Sequence, residues 1–115
     1  GDAVFTADWL GKDFVGFINK CTDLTGLSGE TLFTVKMGKG NSANDNREGF
    51  RLYNLFATYL TGPMLVKNPH FMQYLIELIG KRDNESFVYR EISYPYEEDS
   101  YQVTLNALLD RIQTK

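Results

Sequence analysis

The strongest constraint on this chain is the way its apolar residues change period along the sequence. Leu10, Phe14, Phe17, Ile18, Cys21 and Leu24 recur at mostly three- and four-residue spacings, one stripe of a helix that Thr6 would N-cap. Asp8 would sit in its first turn, where a carboxylate suits the helix dipole. Gly11 and Gly16 fall inside that stretch, and each costs about 1 kcal/mol relative to alanine in a helix interior. Close approach of another backbone would justify them. Leu24 to Gly29 then reads as a helix stop and loop.

The period shortens next. Thr31 to Met37 is rich in β-branched and aromatic residues, with Phe33, Val35 and Met37 on one face of a strand. Gly38 to Asn44 is a polar, glycine-rich loop. Asp45 followed by Glu48 matches a reciprocal capping pattern, predicting a central helix through Phe50, Leu52, Tyr53, Leu55, Phe56, Tyr59 and Leu60. Gly62-Pro63 breaks it. Asn68-Pro69 starts another helix, with proline at its first position, that carries Phe71 to Ile79 and stops at Gly80-Lys81-Arg82. Ser86 to Tyr94 reads as a second strand ended by Pro95. Glu97-Glu98-Asp99 lead into a last helix with a seam of Tyr101, Leu105, Leu108, Leu109 and Ile112.

The predicted order is therefore helix, strand, helix, helix, strand, helix. With no internal repeat, low-complexity tract or linker, this describes a single α+β domain over residues 1–115, about four helices packed on a short two- or three-stranded sheet. A chain of this size buries roughly 65% of its unfolded surface and needs no disulfide or metal for a core. Two strands alone make a marginal sheet. Helices must cover it, a further strand must join it, or a strand must pair with a partner chain, and a homo-oligomer is compatible with that.

Two residue types occur only once. Cys21 alone excludes an intramolecular disulfide and any multi-cysteine zinc or iron–sulfur site. His70 alone excludes the H-E-x-x-H zinc helix. The expectation is thus no cofactor, no metal and no catalytic residue. No apolar run approaches the 18 or more residues of a membrane span. A lone thiol slightly favours a reducing, intracellular compartment without excluding secretion, and the start at Gly1-Asp2 without methionine suggests a trimmed or processed N-terminus. The Asn84-Glu85-Ser86 sequon decides nothing.

Several constellations fail on their chemistry. Gly38-Lys39-Gly40-Asn41-Ser42 follows a strand as a phosphate loop does, but the G-x-x-x-x-G-K-[ST] spacing is missing and Asp45 would repel an anion. Asn44, Asn46, Glu48 and Gly49 echo a calcium loop whose twelfth position, Leu55, is no ligand. Cys21 in an apolar stripe reads as a core residue, and His70 in a first helical turn reads as exposed, so a Cys–His dyad is disfavoured. Glu97, Glu98 and Asp99 are accounted for by the helix dipole.

Two surfaces remain. The formal charge of −3 divides unevenly: residues 1–35 hold two basic and five acidic side chains, 36–82 seven and three, and 83–115 three and seven. Lys36, Lys39, Arg47 and Arg51, with Lys67, Lys81 and Arg82 as outer members, could form an anion- or nucleic-acid-binding face. The pI near 5.1 and the spread of these residues argue against nucleic acid. Tyr89, Tyr94, Tyr96 and Tyr101 gather within thirteen residues beside Pro95, Glu97 and Glu98. Tyrosine gives large contact area at low entropic cost, which suits an interface. The leading expectation is a non-enzymatic protein-binding module of inhibitor, immunity or adaptor type, docking through this aromatic–acidic segment. The alternative is the anion-binding face.

Overall fold

The computed structural model describes residues 1–90 and 92–115. Their architecture corrects the predicted one: a five-stranded antiparallel sheet, a separate two-stranded hairpin and three helices, so the molecule is strand-rich. The strands are β1 (Asp2–Ala7), β2 (Lys12–Ile18), β3 (Phe33–Met37), β4 (Arg47–Glu48), β5 (Phe50–Leu52), β6 (Leu55–Ala57) and β7 (Leu60–Thr61). The helices are α1 (Met64–Lys67), α2 (Pro69–Asp83) and α3 (Pro95–Gln113). The main sheet runs β4-β3-β1-β2-β7, and β5 pairs with β6.

No helix forms between Thr6 and Leu24. Residues 19–24 belong to the loop after β2, and residues 6–18 to the β1–β2 hairpin, in register from Asp2 opposite Phe17 to Ala7 opposite Lys12. Its two faces are both buried, which hides the two-residue alternation of a half-buried strand. Ala3, Phe5, Ala7, Phe14 and Ile18 point into one core with Leu32, Phe33, Leu60 and Phe71. Val4 and Val15 point to the other side, under Leu105 and Leu108 of α3. Gly11 takes φ +66° in the turn, where its N–H and that of Leu10 both donate to the Ala7 carbonyl. Gly16 has a neighbour in place of a side chain: a Cβ there would lie 2.6 Å from Leu60 Cδ1 and 3.1 Å from the Thr61 carbonyl. Thr6 caps nothing; its hydroxyl donates across the hairpin to Asp13, 2.8 Å away.

The helix expected after Asp45 is also absent, replaced by β4 to β7. The Asp45 carboxylate accepts from the Arg47 backbone N–H at 2.9 Å and pairs with its guanidinium, a turn in place of a cap. Glu48 is fully buried and accepts from the Thr58 hydroxyl at 2.6 Å and the Tyr59 N–H at 2.7 Å. Those bonds tie β4 to the entry of β7. Burial raises the Glu48 pKa, against the lowering influence of those two donors and of Lys20. Arg51 secures the β5–β6 hairpin to the core: its guanidinium lies over Trp9, Phe56 and Tyr74 at 5.0, 4.6 and 5.6 Å and donates to the Tyr74 hydroxyl.

The predicted strand over Ser86–Tyr94 is not formed among its described residues, and Glu91 lies outside them. Pro95 opens α3 instead of closing a strand. The expectations for β3, α2 and α3 hold to within a few residues, including proline at the first position of α2.

Asn68 does more than precede that proline. It is fully buried, and its side-chain amide accepts from the Val15 N–H at 2.8 Å and donates to the Val15 carbonyl at 2.9 Å. It also donates to Met64, 2.9 Å away. Since β7 reaches only Phe17 and Ile18, the Asn68 amide continues the ladder where the strand is missing. Replacing Asn68 by alanine strands both polar groups of a buried strand, so Asn68→Ala is expected to lower unfolding free energy by about 2–4 kcal/mol, read from urea denaturation with an unchanged slope.

Candidate functional site

The clasp on Val15 places the start of α2 beside the start of β2, and α3 crosses the same end of the molecule. Between them Tyr89 and residues 92–94 form a wall, and the three enclose a cleft of about 540 Å³. Helical spacing explains which side chains reach it. Pro69, His70 and Gln73 share one face of α2, and Glu98, Tyr101 and Gln102 share one face of α3. Tyr89, Ile92, Ser93 and Tyr94 line the connecting wall, and Lys12 enters from β2.

Four residues of the expected aromatic–acidic surface therefore meet: Tyr89, Tyr94, Glu98 and Tyr101. Pro95, Tyr96 and Glu97 lie next to the cleft in sequence but do not line it, and Tyr96 is 85% exposed. Sequence reasoning missed Lys12, Gln73 and Gln102 here, and considered His70 only as a partner for Cys21 or the floor of a ligand pocket. The recurrence of polar residues at His70 and Gln73, and again at Glu98 and Gln102, was the available signal.

His70 is half-buried, contrary to its expected exposure, with its ring against Phe14 at 4.7 Å and Tyr101 at 4.8 Å. Its Nε2 is buried without a hydrogen-bond partner among the described residues. Burial, reinforced by the Lys12 charge, lowers its pKa to about 4, while the Asp13 backbone and carboxylate act the other way. Tyr101 donates its hydroxyl to the Asp13 carbonyl at 2.8 Å, and burial with the Asp13 charge pushes its pKa up to about 12. Neither ring changes charge near neutral pH.

Cys21 is exposed in the loop after β2, a correction to its expected core position, and is absent from the cleft lining. The basic middle segment is dispersed into separate roles. Lys36 pairs with Asp13 at 2.8 Å, Arg47 pairs with Asp45 at 2.9 Å, and Arg51 lies on its three rings. Lys39 lines a different cleft, of about 480 Å³, with Lys20, Arg111 and Lys115. Among the described residues no group of three or more His, Cys, Asp or Glu could hold a metal ion, and no helix is long and apolar enough to cross a membrane.

No family profile matches the chain. Among curated proteins, it is 37% identical over 106 residues to the lipid II isoglutaminyl synthase (glutamine-hydrolyzing) subunit GatD of Staphylococcus aureus (strain N315). The match takes in 92% of this chain and 43% of that protein, so the chain spans less than half the length of its relative.

The electrostatics of His70 set a direction for stability with pH. A folded-state pKa near 4, below the ordinary 6.5, favours the neutral ring in the fold. Its contribution is complete above about pH 6.5 and is lost as pH falls from there toward 4. Phenylalanine fits the same aromatic stack and cannot titrate. Thermal unfolding at pH 7 and pH 4.5 is expected to show a smaller loss for His70→Phe than for wild type, by about 1–2 kcal/mol once solvent near the ring is allowed for.

Proposed function

We propose that this chain is a protein-binding part of a subunit in a glutamine-hydrolysing synthase assembly, and that it docks on a companion subunit through the cleft between α2 and α3. The likeness to a protein named as a subunit, across nearly the whole chain, carries this reading. The meeting of Tyr89, Tyr94, Glu98 and Tyr101 around one cleft supports the choice of surface. Tyrosines at a partly wet, partly apolar boundary provide contact area with little entropy to lose and a hydroxyl to satisfy the partner. Exposed Tyr96 extends the same surface beyond the cleft.

The role proposed for this chain is binding, not bond breaking. Glutamine hydrolysis by a covalent route needs a nucleophile within reach of a base. Cys21 sits outside the cleft that His70 lines, and His70 is held neutral against two rings. The companion polypeptide of such a synthase, co-expressed with the chain, is expected to co-elute with it in gel filtration. Tyr94→Ala/Tyr96→Ala should weaken the complex about tenfold or more in calorimetry, as loss of interface tyrosines does. Absence of co-elution would remove the partner, and an unchanged affinity would remove the surface.

A further inference from the structure

We propose that the cleft beside the last turn of α3 binds a small, soluble phosphate-bearing anion. The proposal is independent of the docking reading, since this cleft lies at the far end of β2 and α3 from the one between α2 and α3. It has a volume of about 480 Å³ and is lined by four basic side chains, Lys20, Lys39, Arg111 and Lys115, against one carboxylate, Asp2. Lys20 lies just after β2, Lys39 in the loop after β3, and Arg111 and Lys115 at the end of α3. The fold thus gathers cations from the acidic first part, the basic middle and the acidic last part of the chain.

Among the described residues, Arg111 alone of these cations has a carboxylate partner. Its Nη1 donates to Asp2 at 2.7 Å, and that bond uses the acid of the lining. Lys20 donates to the Gly40 and Asn41 carbonyls, which orient its ammonium without neutralising it, and the buried Glu48 feels its charge. Lys39 and Lys115 form no ion pair among the described residues. The dipole of α3 accounts for Arg111 and Lys115 at its C-terminal end. It does not account for Lys39 or Lys20, which come from other elements. Like charges brought together between low-dielectric walls repel and focus a positive field, and an anion relieves that repulsion.

Phosphate suits this set better than a carboxylate does. A guanidinium fork and separate ammonium groups match an ion with several oxygens and two charges. Where the charge is confined decides the size of the ligand. The chain is formally −3 while the cleft lining is net basic, so the remainder is more acidic than the whole. A nucleic acid strand or an anionic membrane would meet that acidic surface, whereas a compact ion stays within the cleft.

The test titrates the isotope-labelled chain, at constant ionic strength, with inorganic pyrophosphate, inorganic phosphate and acetate. Pyrophosphate is expected to give saturable shifts of the Asn19, Lys39 and Arg111 amides, phosphate weaker ones, and acetate none. Lys39→Gln, at an exposed position, should weaken pyrophosphate about fivefold, and Lys39→Gln/Lys115→Gln about tenfold or more. Lys81→Gln, on α2 and outside the cleft lining, should leave the affinity unchanged. No saturable shift, acetate bound as tightly as pyrophosphate, or indifference to the lysine pair would each overturn the inference. Equal weakening by Lys81→Gln and Lys39→Gln would overturn it too, since the attraction would then be diffuse. Phosphatidylcholine vesicles containing phosphatidic acid should not retain the chain; retention would overturn the assignment to a soluble ligand.

Discussion

The clasp between the Asn68 amide and the backbone of Val15 is the interaction on which the candidate site depends. A side-chain amide carries a donor and an acceptor spaced much as a peptide group is, so it can stand in for a strand residue at the end of a short edge. Here it fixes the first turn of α2 against β2 while Pro69 sets the helix direction. His70 follows at once, and its contacts with Phe14 and Tyr101 are consequences of where that turn begins. The Tyr101 hydroxyl on Asp13 then draws α3 to the same strand. Two hydrogen-bonded attachments, to Asp13 and Val15 of β2, thus set the spacing between the helices, and the cleft is the space they leave.

The same strand organises both cores. Phe14 packs on Phe33, Phe71 and His70 on one side of β2, while Val15 meets Leu105 and Leu108 on the other. A hairpin covered on both faces gains from burial on each, and this explains its place at the centre of the sheet order. Most polar groups that enter this interior are matched. Glu48 is met by Thr58 and Tyr59, and Asn41 exchanges hydrogen bonds with Gly49. Nε2 of His70 is the buried side-chain atom that stays unmatched among the described residues.

What could be read from the sequence follows from how local each signal was. β3 has one more exposed face and shows β-branched alternation, α2 carries its proline at the first position, and α3 has a regular seam; all three were legible. β1 and β2 were not, because burial on both faces replaces alternation with near-continuous apolar residues that happen to fit a helical stripe. The Asp45–Glu48 spacing has the form of a cap, but Glu48 is spent on a contact ten residues away, which no local pattern reveals. Gly49 held a usable warning: it stands at φ +66°, and a Cβ would come within 2.3 Å of the Ala57 carbonyl. At the cleft, the tyrosine cluster was visible as composition. Its meeting with His70, Gln73 and Lys12 required knowing that α2, α3 and β2 share one end of the fold.

The main sheet ends in β4 on one side and β7 on the other, each two residues long. A partner strand laid along either edge would find only a short ladder of free backbone groups, and beyond β7 the Asn68 amide already occupies the Val15 groups a visitor would use. Strand addition at these two edges, the route that an exposed edge invites, would therefore gain few backbone hydrogen bonds. Side chains around the α2–α3 cleft, by contrast, lie outside the strands of the main sheet except for Lys12, so most of them can be changed one residue at a time without touching that ladder.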